Sequence, residues 1–133
     1  MIIQNDTNTK GYNQWFFFSF RNGKSKTVRF NIVNLIKKHT LFEEGVLPVG
    51  LSTKSEKKEW VSVGRDVDYQ KSYVTREIAT LPPSTKNYYT LSFTIEFEVE
   101  DDTMYIALNY PYTYSKMVQL TKDIAPKSPN IKI

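Results

Sequence analysis

Few side chains in this 133-residue chain are of the kinds that do covalent or metal chemistry. No cysteine is present, which excludes disulfides and thiolate nucleophiles, and His39 is the only histidine, which excludes sites built from two histidines of this chain. His39 stands four residues before Glu43, so a base and a carboxylate share one short segment. A zinc site needs at least three protein ligands and no companion set is in view, so His39 reads as a surface histidine beside a loop. Glu96, Glu98 and Glu100 alternate along one stretch and point the same way, about 7 Å apart by strand rise. A calcium site or an acid–base pair is one chemistry open to them. A solvated sheet face opposed by Lys26 or Arg29 is the ordinary one. Glu43 and Glu44 have no partner to shift their ionisation, and nothing resembles a phosphate-cradling loop or a nucleophile elbow. The expectation is no catalytic residue, no metal ligand and no cofactor in this chain.

The elements that would position any site are strands. In 89–99 apolar residues fall on every odd number (Tyr89, Leu91, Phe93, Ile95, Phe97, Val99), with Thr90, Ser92, Thr94, Glu96 and Glu98 between them. That is a strand with one buried face. Asp101, Asp102 and Thr103 read as a polar turn, after which Met104, Ile106, Leu108 and Tyr110 resume the alternation, predicting a long antiparallel hairpin. Pro111 stops its second strand with Tyr110, Tyr112 and Tyr114 around it.

Earlier in the chain, 1–13 is polar and turn-rich apart from Ile2 and Ile3, which read as the tail of an edge strand. Residues 14–21 carry aromatics on both faces, as in a central strand covered on two sides or one bordering another domain. Residues 27–34 alternate again, and the two segments read as a second hairpin across the Asn22-Gly23 loop. Between them and the organising hairpin, 35–44 allows a short helical turn or an irregular connection, and Gly45, Pro48 and Gly50 keep any regular element there short. Residues 52–59 form a charged loop, 59–63 a short strand, 68–78 a strand-like segment, and Leu81-Pro82-Pro83 a connection. After Ser115 one more ordered turn is expected, and beyond Lys122 a linker or tail. Short strands with turn signals and little helix predict an all-β antiparallel sandwich over 1–121, with 122–133 as linker.

A net charge of +4 from 18 basic and 14 acidic residues is unevenly spread. Residues 21–38 are basic without an acid, and 96–102 are acidic without a base. Lys24, Lys26 and Arg29 are too few for a nucleic-acid footprint, and the aromatics sit mostly at core-facing parity, so no nucleic acid is expected. No signal peptide or membrane-spanning run is present in the sequence, and the reading is a cytoplasmic protein with no membrane partner.

A set of segments, taken in order, carries a resemblance. They are Asn13-Gln14-Trp15-Phe16-Phe17-Phe18, Phe30-Asn31-Ile32-Val33-Asn34, Trp60-Val61-Ser62-Val63-Gly64-Arg65-Asp66, Tyr88-Tyr89-Thr90-Leu91-Ser92-Phe93 and Tyr110-Pro111-Tyr112 continuing into Thr113-Tyr114-Ser115. Over roughly 3–120 the chain resembles the N-terminal β-sandwich domain of the cytosolic carboxypeptidases, zinc metallocarboxypeptidases that trim glutamates from tubulin and other proteins.

That resemblance implies that the zinc and the catalytic residues lie in a separate domain after the tyrosine-proline-tyrosine segment, with an H-x-x-E pair and a later histidine as ligands. His39 and Glu43 have the wrong spacing for it, so no ligand carries over, and the chain is expected to be a fragment, truncated at both ends and inactive alone. It further implies a catalytic domain in cis as partner, tubulin through the full protein, and a cytoplasmic, cytoskeleton-associated location. Tyr110, Pro111, Tyr112, Tyr114 and Trp15 are the candidate inter-domain contacts, since amphipathic rings suit a half-wet junction. The competing reading of the same rings is a plug for the end of the sandwich. The competing function is a stand-alone sandwich that binds a protein or glycan.

Overall fold

The computed structural model describes residues 1–9, 11–24, 26–78 and 84–127. The alternating stretch becomes β6, Ser84–Glu96, a central strand flanked by β2, Thr27–Leu35, and β5, Arg65–Ile78, all antiparallel. The second sheet runs in the order β1 (Phe17–Arg21), β7 (Thr103–Ala107), β3 (Val49–Ser52) and β4 (Val61–Ser62), also antiparallel. The two sheets face each other across a core of Phe16, Ile32, Leu35, Leu91, Phe93, Ile95, Phe97 and Ile106. The chain is an all-β antiparallel sandwich, as its alternation indicated.

Rings lock the sheets together. Phe30 of β2 takes Phe20 of β1 edge-on at 5.2 Å and Phe18 at 5.6 Å, while Phe93 of β6 stacks on Phe30 at 5.4 Å. Offset and edge-to-face geometries of this kind add to the burial of the rings themselves.

Both expected hairpins are absent. β6 and β7, consecutive in sequence, lie in opposite sheets, and so do β1 and β2. Alternation fixes a strand and its buried face but not its hydrogen-bonding partner, and each pair is joined by enough chain to cross the roughly 10 Å between sheets. The two crossings are tied to each other. Asn22 N–H donates to Asp102 O at 3.1 Å, Asp102 N–H returns to Asn22 Oδ1 at 3.0 Å, and Asn22 Nδ2 donates to Val99 O at 2.9 Å. Asn22 and Asp102 are buried, and this exchange satisfies polar groups that would otherwise be stranded.

Other parts also differ from expectation. Thr90, Ser92 and Thr94, read as outward and wet, are buried between the neighbouring strands, and Arg29 donates to Thr94 Oγ1 at 3.2 Å. Glu96 is paired by Arg65 rather than by Lys26 or Arg29. β3 is a strand of four residues that the sequence reading did not assign, short as Gly45, Pro48 and Gly50 require. Gly50 permits it, because a Cβ there would come within 2.8 Å of Val63 Cγ1 and 3.0 Å of Met104 Sδ. The start of the chain does lie along a strand edge: the Met1 ammonium donates to Asn31 O at 2.7 Å, and Asn34 exchanges side-chain hydrogen bonds with the backbone of Ile3 at 2.9 and 2.8 Å. The helical turn expected in 35–44 is a 3-10 turn over Leu41–Glu44.

The single turn expected after Ser115 is an eleven-residue helix, α1, Tyr114–Ile124, continued by a 3-10 turn over Ala125–Lys127. The boundary at 121/122 thus falls inside α1. Residues 128–133 of the expected tail and the Leu81-Pro82-Pro83 connection lie outside the described residues.

Candidate interdomain surface

α1 begins at a cap supplied by Thr113. Thr113 is extended, and its Oγ1 accepts the Lys116 N–H at 3.2 Å, capping one of the free amides of the first turn. On the helix, Tyr114, Met117, Val118, Leu120, Thr121 and Ile124 share one side, while Ser115, Lys116, Gln119, Lys122 and Asp123 share the other. Gln119 Nε2 bonds Asp123 Oδ1 at 2.9 Å along the polar side. No residue of α1 is buried, and among the described elements the helix meets only the turn that follows it. An amphipathic helix of three turns with nothing on its apolar side lacks the tertiary contact that normally stabilises one.

The candidate residues lie around the point where the chain leaves the second sheet. Leu108 N–H donates to Phe16 O at 3.0 Å, which extends the β1–β7 register so that Trp15 stands opposite Asn109. Trp15 and 109–112 therefore share one end of that sheet. Tyr110, Tyr112 and Tyr114 are 57%, 59% and 76% exposed and Trp15 is 43% exposed, while Pro111 is half-buried. The rings do not fill the end of the core. Trp15 is held by its backbone, its N–H and that of Gln14 each reaching Asp6 Oδ1 at 3.3 Å.

Of three aromatic residues on the outer face, Trp60 and Tyr105 escaped the sequence reading as site residues, whereas Phe17 lies in the run read as bordering another domain. β1 is an edge strand, so the alternative of a central strand covered on both sides does not hold for it. Its even residues enter the core, and Phe17 on the other parity stacks on Tyr105 at 6.0 Å and meets Trp60 at 6.1 Å. Below these rings Ala107 and Val49, partners in register, are only 0% and 3% exposed. The signal was present in the alternation of 15–20, where either parity is aromatic; what was missing was the neighbour strand that supplies Tyr105.

Polar chemistry is sparse here. His39 Nδ1 lies 4.0 Å from Glu43 Oε2, but that oxygen already accepts the Thr40 N–H at 3.0 Å as part of a capping box. Among the described residues no three histidines, cysteines or carboxylates come together to hold a metal. Burial, helped by Glu43 and Tyr89, raises the ionisation of Tyr69 above the ordinary tyrosine range, and its hydroxyl donates to Lys37 O. No helix among the described residues is long and apolar enough to cross a membrane.

No protein-family model matches the chain. Curated relatives do. Cytosolic carboxypeptidase 1 of Gallus gallus is 37% identical over 122 residues, covering 88% of this chain and 10% of the relative. Cytosolic carboxypeptidase 4 of Homo sapiens is 33% identical over 138 aligned positions, covering 99% of the chain and 12% of the relative. Cytosolic carboxypeptidase 2 of Danio rerio is 31% identical over 128, covering 93% and 17%. The chain thus spans between about a tenth and a sixth of the length of these relatives, and it belongs to the cytosolic carboxypeptidase family as a partial region matching the family's N-terminal domain.

Proposed function

We propose that this chain is a non-catalytic accessory domain that supports or docks the catalytic portion of a cytosolic zinc metallocarboxypeptidase. The observation that carries the reading is the surface at the sheet exit: exposed Tyr110, Tyr112 and Tyr114 leading into a helix whose apolar side has no cover. In this reading zinc and peptide hydrolysis belong to the relatives' remaining length. Removal of glutamates from tubulin or other proteins, and any cytoskeletal association, are properties of the whole protein. The domain's own part is to present a rigid sandwich and an anchoring helix to that partner. Grafting tests it. This chain in place of the matched region of Gallus gallus cytosolic carboxypeptidase 1 should give a soluble, active chimera, and the same graft carrying Tyr112→Ser and Tyr114→Ser should lose yield and activity. A wild-type graft no better than simple deletion of the region overturns the reading.

A stand-alone binding sandwich for a protein or glycan is the second reading, favoured by the half-exposed cluster of Phe17, Trp60 and Tyr105. Stacking on sugar rings or on apolar side chains is what such a cluster offers. Retention of the chain on a glycan panel, lost in Trp60→Ala, would support it over docking.

A further inference from the structure

We propose that the free edge of β1 is a self-association site, at which β1 of a second copy of this chain adds in antiparallel register and joins the two β1-β7-β3-β4 sheets into one. The contact goes beyond the docking reading and uses neither Tyr110, Tyr112 and Tyr114 nor α1.

The ladder decides which groups are free. β1 ends its sheet, and its even residues face β7: Leu108 N–H donates to Phe16 O at 3.0 Å and Asn22 N–H to Asp102 O at 3.1 Å, with Phe18 and Phe20 in register between them. Residues of an antiparallel strand bond alternately to one side and the other, so the amides and carbonyls of Trp15, Phe17, Ser19 and Arg21 point away from β7. Asp6 Oδ1 takes the Trp15 N–H at 3.3 Å. The N–H and C=O groups of Phe17 and Ser19 meet no partner among the described residues. Beside them Phe18 and Phe20, though turned to the core, are only half-buried, because the sheet stops there.

The other sheet edges are defended. β2 is bridged by Met1, whose ammonium donates to Asn31 O at 2.7 Å and whose carbonyl accepts the Val33 N–H at 3.1 Å. β5 carries Arg65, Asp66, Asp68 and Lys71 and two register shifts, and β4 is two residues long. From Trp15 to Phe20 there is no charge, glycine or proline, and β1 runs against β7 without a register shift. That is the kind of edge onto which another strand adds.

Register and charge name a second copy as the occupant. With a two-fold axis at Phe18, Phe17 of each copy exchanges backbone hydrogen bonds with Ser19 of the other, and Arg21 of one stands opposite Trp15 of the other, beside Asp6. Asp6 has no ion-pair partner among the described residues, and Arg21, its side chain 70% exposed, comes only within 3.7 Å of Asp101. The pairing therefore sets an unpaired carboxylate beside a loosely held guanidinium at both ends. A groove of about 530 Å³ between 1–7 and 15–18 admits the incoming Ser19-Phe20-Arg21. Each copy uses up its undefended edge, so the assembly closes as a pair.

Sedimentation velocity of the full chain from about 2 to 200 μM should show monomer passing to dimer. Over the same range the Phe17 and Ser19 amides should exchange hydrogen more slowly as concentration rises, while those of Phe18 and Phe20, held by β7, are slow throughout. Ser19→Pro removes an outward N–H and no β7 bond, and should give a monomer with β-sheet circular dichroism. If that variant does not fold, Arg21→Glu decides: it keeps every backbone bond, sets like charges together and should raise the dimer dissociation constant at least about tenfold. A monomer throughout the range overturns the proposal. So does a dimer that the folded variants leave intact, which places the contact elsewhere. Phe17 and Ser19 amides that are slow in the monomer also overturn it, by assigning the edge to a strand of the same chain. No readout involves a carboxypeptidase, so this result and that of the graft are independent.

Discussion

Tyr69 shows how burial and charged or ionisable neighbours move a side chain's chemistry. Its ring stacks on Tyr89 at 5.7 Å, its hydroxyl donates to Lys37 O, and its ionisation is raised first by burial and then by Glu43 and Tyr89. A phenol that holds its proton more tightly in the folded chain stabilises the fold fully below the unfolded value of about 10, and that contribution is lost as pH rises above it. Denaturant titrations should therefore give a midpoint that holds below about pH 10 and falls progressively above it, and Tyr69→Phe should flatten the fall. Gly50 makes a steric case. With Val63 and Met104 closing on the space a Cβ would fill, Gly50→Ala should cost about 1–3 kcal/mol by equilibrium unfolding, through overpacking. At this scale the sequence was legible where a residue type leaves no choice, as with the absence of cysteine. It was not legible for Gly50, since a glycine needed for space and one needed for a turn look alike until the opposing sheet is in place.

Elements tell a different story. The faces of β2 and β6 could be read from Val28, Phe30 and Ile32 and from Leu91, Phe93 and Ile95, because period-two burial needs no knowledge of partners. Pairing could not, because alternation names no partner, and the contact that ties the two crossings together joins Asn22 and Asp102, some 80 residues apart. Asn22→Ala removes two of those bonds and leaves the Val99 carbonyl and Asp102 amide short of partners. A loss of about 1–3 kcal/mol in unfolding free energy is expected, while Asn22→Asp, which keeps an acceptor for the Asp102 amide, should lose less. α1 stands at the other extreme. None of its residues is buried, so Lys116→Ala should change stability by no more than about 0.5 kcal/mol in thermal or chemical unfolding. The helix was legible only as a turn, since Tyr114 to Ile124 offers a helical apolar side without the core that would confirm it.

On the scale of the molecule, stability and function separate. Phe93 is fully buried and stacks with both Phe16 and Phe30, so Phe93→Ala should cost about 3–5 kcal/mol and compromise both sheets. The exit surface contributes little to that core and exposes its tyrosines, which is the distribution expected of a region kept for contact rather than for folding. Of the candidate site, the exposure of Tyr110, Tyr112 and Tyr114 was legible from Pro111 and the end of alternation, and Trp15 and Phe17 from the aromatic run of 15–20; their cluster with Trp60 and Tyr105 was not, because separate parts of the chain assemble it. The central claim is that this sandwich docks the remainder of a cytosolic carboxypeptidase through its exit surface. The most direct measurement is calorimetric titration of the purified chain into Gallus gallus cytosolic carboxypeptidase 1 lacking the matched region. Saturable binding that weakens by at least about tenfold with Tyr112→Ser and Tyr114→Ser is the predicted result, the size expected when aromatic anchors are lost. No binding by a folded chain, or binding indifferent to those tyrosines, would contradict it.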